Sequence, residues 1–344
     1  MKAMVLREKG APFSFEDVPD PKPGEGEAVA RVIACGSGLT IHHARAGRAE
    51  IDYPMIIGHE VVGEIVETGG GVSNVKAGDV VTFHCYLTCG HCRWCRVNRE
   101  PICDNMAGFV GRHCDGGYAE YINLPARNYV HIPDGLDYKS HPAEVAVICD
   151  AIATPYKVLR RARIEPMETV AVIGAGGGVG IHMVMLARWA NARVIAVDVS
   201  EQKLAQCKEL GAEATVDASK DDVTEALLEL TGGLGVNVAI DFVSQDTTLE
   251  AAAEALDMGG RLVTLGGFTP KPFRLSAGSL LNGELEVMGS RSFTKQEIIE
   301  SLDLCARGDV WPLVTETYRL EEAEKVHERL EAGAITGRAA IVMD

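Results

Sequence analysis

The chain has 344 residues, 47% of them apolar and 24% charged, a balance that fits a globular protein long enough for two separate cores. A formal net charge of −16 argues against a phosphate-backbone partner, so no nucleic acid is expected. No stretch approaches the roughly 18 apolar residues of a membrane span, and the opening MKAMVLREKG lacks the apolar segment of a secretory signal, so a cytoplasmic protein is expected.

Up to about residue 150 the chain reads as β-rich. Short apolar segments, Ala28–Ile33, Glu60–Glu67, Asp79–Phe83 and Tyr118–Ile122, are broken at close intervals by Gly, Pro and Asp. Within this region Cys89, Cys92, Cys95 and Cys103 are spaced Cys-x2-Cys-x2-Cys-x7-Cys. Four thiolates so placed can close a tetrahedron around Zn²⁺, and an all-sulfur shell leaves no vertex for water or substrate. An iron–sulfur reading fits less well, because the fourth cysteine comes late and no proline follows it. The remaining cysteines, Cys35, Cys85, Cys114, Cys149, Cys207 and Cys305, show no pairing pattern, which argues for reduced thiols rather than disulfides. The lobe from about 85 to 104 is therefore expected to hold one structural zinc.

Beyond Asp150 the texture changes. Apolar strands Thr169–Ile173, Arg193–Val197, Val236–Phe242 and Arg261–Leu265 alternate with helical segments Val179–Ala190, Glu201–Leu210, Val223–Leu230 and Thr247–Leu256, the pattern of a parallel doubly wound sheet. The basic run Lys157, Arg160, Arg161 and Arg163 could meet an anionic substrate such as a CoA ester, and otherwise reads as a solvated helix face. The first strand runs into Gly174-Ala175-Gly176-Gly177-Gly178-Val179-Gly180 and then a helix, where glycines let the backbone approach a pyrophosphate. The strict Gly-x-Gly-x-x-Gly register is broken by Val179 counted from Gly174, and by Ala175 when it is counted back from Gly180. The next strand ends at Asp198, whose carboxylate can accept from ribose hydroxyls and repel a 2′-phosphate, so NAD(H) is favoured over NADP(H). After Gly289, a helix Lys295–Cys305 and a strand Ala339–Val342 read as a return to the first domain.

Gly58-His59-Glu60, the four-cysteine lobe, Asp115-Gly116-Gly117-Tyr118-Ala119-Glu120, the Gly174–Gly180 turn and Asp198 together resemble the zinc-containing medium-chain alcohol dehydrogenases over essentially the whole chain. The resemblance implies an α/β protein: a GroES-like catalytic domain at 1–150 and 290–344, and a Rossmann NAD-binding domain at 151–289. It places the cofactor on Gly174, Gly177, Gly178, Val179, Gly180, Asp198, Lys203 and Gly266. It also implies a second, catalytic zinc, with His59 as the histidine ligand, Glu60 as a neighbouring carboxylate and Asp150 at the third position, six residues before Tyr156. The family's Cys-Gly-x-Cys-His-Thr-Asp maps onto Cys35-Gly36-Ser37-Gly38-Leu39-Thr40-Ile41, so Gly38 stands where the first zinc ligand belongs and Ile41 where its supporting aspartate belongs. Cys35, three residues away, points to the opposite face of an extended chain, and Cys149 beside Asp150 is expected to pack. Losing a ligand and its supporter together argues that the catalytic metal is gone. His59, Glu60 and Asp150 remain a possible N/O/O shell.

Thr40 matches the hydroxyl of the family's proton path and His43 its histidine, while the neighbouring His42 is expected at the surface. Cys85 and Tyr86 are expected to line the substrate pocket. The function expected first is an NAD(H)-dependent oxidoreductase interconverting an alcohol and a carbonyl compound. The alternative is zinc-free conjugate reduction of an enone or enoyl-CoA, and a third reading is a cofactor-binding protein without turnover. A homodimer or homotetramer is expected from the resemblance.

Overall fold

The computed structural model describes residues 1–266 and 271–343. The chain divides into two compact units, Met1–Ala153 with Phe293–Asp344, and Thr154–Ser292. Among the described residues, no helix is long and apolar enough to cross a membrane.

In the first unit, β1 (Lys2–Leu6), β2 (Ser14–Asp17) and β4 (Met55–Ile56) form an antiparallel sheet in the order β2-β1-β4. The larger sheet is organised around β3 (Glu27–Ser37), with β5 (Val61–Thr68), β6 (Val80–Phe83), β9 (Tyr121–Pro125), β10 (Tyr129–His131), β17 (Val314–Tyr318) and β18 (Arg338–Val342). Its order is β10-β6-β5-β3-β18-β17, and β9 also pairs with β3. The β3–β18 register sets Ala339 opposite Ser37 and Ala340 opposite Gly36. A two-stranded ribbon, β7 (Tyr86–Leu87) with β8 (Gly108–Phe109), carries the cysteine loop between its strands. Helices α1 (Leu39–Arg45), α2 (Pro142–Val147), α9 (Lys295–Ala306) and α10 (Ala323–Glu331) complete this unit, and a π-helical turn, Ile148–Ile152, follows α2 directly.

The expected strand Tyr118–Ile122 begins later, at Tyr121. The N–H groups of Gly116, Gly117 and Tyr118 donate instead to the carbonyls of Ile56, Gly58 and Ile57, while Tyr118 O accepts from Met4 N–H, Ala119 bridges to Ala3, and Glu120 O accepts from Val32 N–H, so this segment joins the loop before His59 to β1 and β3.

The second unit begins within α3 (Ala153–Ala162). Its strands β11 (Thr169–Ile173), β12 (Arg193–Asp198), β13 (Ala214–Asp217), β14 (Val236–Asp241), β15 (Leu256–Thr264) and β16 (Glu286–Gly289) are all parallel, in the order β13-β12-β11-β14-β15-β16. Helices α4 (Gly180–Trp189), α5 (Glu201–Glu209), α6 (Val223–Leu230), α7 (Asp246–Glu254) and α8 (Ala277–Gly283) connect them. This is a Rossmann sheet, and the strand order reverses between β11 and β14, the place where such sheets open a crevice beyond their carboxyl ends. The central strand β11 is apolar after Thr169 because both faces are covered: all five of its residues are buried. Sequence reading carried a helix through Leu256, but β15 already starts there. The Ala255 carbonyl accepts from Val236 N–H, which ends the helix, and the irregular pairing of β14 with β15 falls beside Gly259 and Gly260.

Candidate active site and metal centres

The glycine-rich turn leaves β11 through Gly174, whose φ of +75° favours a residue without a Cβ. Gly180 opens α4, and a Cβ there would overlap the Gly174 carbonyl and lie 2.9 Å from Ala175 Cα. Gly177 bridges the two, donating from its N–H to Gly174 O at 3.2 Å. Gly178 and Val179 complete the turn, Val179 as the N-cap of α4. The first N–H groups of that helix present positive partial charge to an anion. Asp198, at the end of β12, accepts from Gly176 N–H at 2.8 Å through Oδ2, and from Val199 and Ser200 N–H through Oδ1. It therefore also holds the turn in shape, a duty the sequence did not reveal. Ser200 caps α5 by accepting from the N–H of Lys203, which places Lys203 in the first turn of that helix. Gly266, just beyond β15, donates to Ser244 Oγ at 2.8 Å, and a Cβ on it would overlap Ser244.

The basic run beside this fold is committed to local ties. Lys157 Nζ donates to Arg291 O, Arg161 Nε to Gly289 O, Arg163 pairs with Glu286, and Arg160 lies over the Tyr156 ring.

In the first unit His59, Glu60 and Asp150 come together, with one donor atom of each within 4.8 Å of the others. His59 Nε2 stands 3.6 Å from Asp150 Oδ2. Asp150 lies in the π-helical turn, a distortion that turns its carboxylate toward a histidine on a distant loop. Burial lowers the His59 pKa, offset in part by its hydrogen bond to Asp150, so the neutral imidazole is favoured. Burial raises Glu60 to about 8 against the pull of Arg338. Among the described residues, His59 Nδ1 and both Glu60 oxygens find no hydrogen-bond partner.

Arg338 is the residue that sequence reasoning missed. It is buried; its Nη2 lies 2.8 Å from Asp150 Oδ2 and 3.2 Å from Glu60 Oε1. A Cβ on Gly38 would overlap Arg338 Nη1 and lie 2.9 Å from Cζ. The guanidinium thus fills the space into which a side chain at position 38 would project. A tetrahedral divalent ion would need a donor at that vertex, and a guanidinium has only N–H groups to offer. As arranged, the set does not suit such an ion. The only local signal was the Thr336-Gly337-Arg338 step before a closing strand, which does not say what the strand pairs with.

Cys35 Sγ donates to Gly36 O at 3.6 Å and lies where Cβ atoms on Gly58 and Gly117 would go; Cys149 Sγ donates to Ala146 O at 3.4 Å. Burial pushes both thiols well up, away from the thiolate form a metal needs. Cys85 and Tyr86 are buried, and Phe109 meets both the Tyr86 ring, at 5.1 Å between centroids, and the His59 ring, at 4.9 Å.

Thr40 and His43 fall three residues apart on α1, on adjoining positions of one face. Arg112 donates to Thr40 O at 3.3 Å. Burial, reinforced by the charge of Arg48, lowers the His43 pKa. His42 is not at the surface as expected: it is buried, its Nδ1 lies 3.3 Å from His327 Nδ1, and its Nε2 is held by Glu331. Packing of α1 against α10 covers it, an event invisible in the local sequence.

Cys89, Cys92, Cys95 and Cys103 converge, with Sγ separations of 3.5 Å (Cys89–Cys103), 3.6 Å (Cys92–Cys95) and 3.8 Å (Cys92–Cys103). An ion bonded to four sulfurs at about 2.3 Å needs edges of about 3.8 Å, so the cluster fits a tetrahedral metal as it stands. The N–H of Cys92 points to Cys89 Sγ and that of Cys89 to Cys103 Sγ. Backbone hydrogen bonds hold Cys92 down at about 6, close to the thiolate form. Trp94 braces the loop between the guanidinia of Arg93 and Arg99, 5.0 and 4.9 Å from its ring.

Comparison with known proteins agrees with the two-part α/β fold. The family described as alcohol dehydrogenase GroES-like domain matches residues 24–134, and the zinc-binding dehydrogenase family matches residues 178–307. An alcohol dehydrogenase of Geobacillus stearothermophilus is 38% identical, covering 99% of this chain and 98% of that protein. An acryloyl-coenzyme A reductase of Metallosphaera sedula is 32% identical, covering 96% of each. The crystal structure of the alcohol dehydrogenase from Aeropyrum pernix superimposes with a TM-score of 0.91 at 34% identity, covering 99% of this chain and 100% of that one.

Two outcomes follow from this geometry. Cys92→Ser, or exhaustive chelation of wild type, should lower the melting temperature by about 10 °C, a loss of a few kcal/mol, because the loop has little other core to hold it. An unchanged melting curve after complete metal removal would contradict a scaffolding role. Between the ordinary value of 4.5 and about 8, folded Glu60 retains a proton that the unfolded chain releases, so stability should fall as pH rises through that window. In Glu60→Gln, denaturant midpoints measured from pH 5 to 8 should lose that decline, on the order of a few kcal/mol in total. An identical slope in the variant would show that Glu60 is ionised.

Proposed function

The chain belongs to the zinc-containing medium-chain dehydrogenase/reductase superfamily, and from that premise we propose that it is an NAD(H)-dependent reductase of alkenes conjugated to a carbonyl, of enone or enoyl-thioester type. The observation that carries this reading is Arg338, ion-paired to Asp150 in the space next to Gly38. Oxidising a simple alcohol requires strong stabilisation of an alkoxide, which the superfamily obtains from a Lewis-acidic metal. A guanidinium already neutralised by a carboxylate supplies far less. Hydride addition to the β-carbon of an activated alkene spreads negative charge over an enolate, which hydrogen bonds can hold.

When bound, NADH supplies the hydride. The Gly174–Gly180 turn and the start of α4 are proposed to hold its pyrophosphate, Asp198 and Lys203 its adenosine ribose, and Gly266 to give the backbone room beside it. Thr40 and His43 are proposed to pass the proton that completes the reduced product, His43 acting as a largely neutral imidazole that exchanges protons with solvent. His59, Glu60 and Asp150 brace the reaction site. We further propose that the four-cysteine cluster holds a structural zinc, and that Gly38 stands in place of the superfamily's catalytic-zinc cysteine.

Alcohol–carbonyl interconversion is the second reading, favoured by the retained Thr40 and His43 on one face of α1. A panel pairing enones and acryloyl- or crotonyl-type thioesters with primary and secondary alcohols separates the two. The expected result is NADH oxidation with the conjugated substrates at a kcat/KM at least about a hundredfold above that for any alcohol–carbonyl couple, and the reverse ranking would overturn it. For the cofactor, Asp198→Ala should cost about tenfold or more in preference for NADH over NADPH, roughly 1.4 kcal/mol. Asp198→Asn keeps an acceptor for Gly176 N–H and should lose only the charge-based part. An unaltered NADH/NADPH ratio in both variants would remove Asp198 from the proposed role.

A further inference from the structure

The cluster around Asp150 contains a fixed positive charge, the Arg338 guanidinium. Arg338 starts β18, and the β3–β18 register sets it across from Gly38, one step beyond the Ala339–Ser37 pair. Its backbone is fixed there, since Arg338 N–H donates to Leu313 O at 3.0 Å. The side chain reaches inward, where Nη2 donates to Asp150 Oδ2 at 2.8 Å and lies 3.2 Å from Glu60 Oε1. Both carboxylates are buried, and Arg338 is itself 5% exposed. A buried Asp150 carboxylate without a cation would be costly even with its neighbour Glu60 protonated, so something positive must accompany it. Three protein donors around a divalent ion would also serve, but the two solutions exclude one another here. The same Asp150 oxygen faces both His59 Nε2 and Arg338 Nη2, and the volume beside Gly38 that a ligating side chain would need is taken by the guanidinium.

We infer that Arg338 is the resident cation of this site, a positioning residue that holds Asp150 and Glu60 where a divalent ion would otherwise sit and keeps that ion out. Arginine suits this because it stays charged at any working pH and its planar guanidinium can lie against both acidic side chains. Gly38 is the matching half of the arrangement, since any side chain at 38 would drive the guanidinium off Asp150. The inference deepens the proposed metal-free reduction and rests on it for its mechanistic meaning, but its test reads metal content and not turnover.

Wild-type protein, equilibrated with excess Zn²⁺ or Co²⁺ and then dialysed against metal-free buffer, should retain about one equivalent per chain, held by the four cysteines. Gly38→Cys/Arg338→Ala should retain about two, and its Co²⁺ form should gain further thiolate-to-metal absorption in the near ultraviolet. Arg338→Lys, which keeps the charge, should stay at one. A second firmly held equivalent in wild type, lost in Asp150→Asn, would overturn the inference. So would a folded Gly38→Cys/Arg338→Ala protein that takes no second ion. If the double variant does not fold, the wild-type stoichiometry decides alone. One equivalent together with alcohol oxidation would refute the reductase reading and leave Arg338 in place; two equivalents with alkene reduction would do the opposite.

Discussion

The antiparallel pairing of β3 with β18 is the constraint on which the rest of the first unit depends. It joins a strand near the start of the chain to the closing strand and so completes the sheet around which the unit is built. In the same step it delivers a guanidinium to a pocket lined by carboxylates. An ion pair as buried as Arg338–Asp150 adds little net stability when formed, because desolvation offsets the attraction, yet removing one partner typically costs about 3–5 kcal/mol. The pair therefore locks the relation of three segments: the end of β3, the π-helical turn and the start of β18.

The two cysteine environments show how one residue type is directed to different ends. At the lobe, backbone N–H groups point at sulfur and the thiols converge on a tetrahedral void; backbone hydrogen bonds hold Cys92 toward the thiolate while burial raises Cys95 to about 12, and a metal can close the loop. Cys35 and Cys149 sit in apolar packing, their S–H groups donating to backbone carbonyls, and are held as thiols. The difference is one of solvation and hydrogen-bond direction, not of distance from a candidate metal site.

In the second unit the nucleotide turn is over-determined. Gly174 requires a left-handed backbone, Gly180 allows no Cβ against the Gly174 carbonyl, and Asp198 bonds the Gly176 N–H from the neighbouring strand. Asp198 thereby couples the shape of the turn to the group proposed to select the cofactor.

By itself the sequence determined what depends on short-range pattern. It located the strand–turn–helix at Thr169–Trp189, the β-rich and α/β halves and the cysteine spacing, because periodicity, glycine placement and ligand spacing are local quantities. Only the tertiary structure decided what fills the space beside Gly38. Arg338 lies against Gly38 because β18 pairs with β3, His42 is buried because α10 covers α1, and Tyr118 falls outside its expected strand, its N–H on Ile57 O and its carbonyl on Met4 N–H. Each of these is a contact between segments far apart in the chain. Such contacts are fixed by which strands pair and which helices pack, and local residue preference carries no information about that choice.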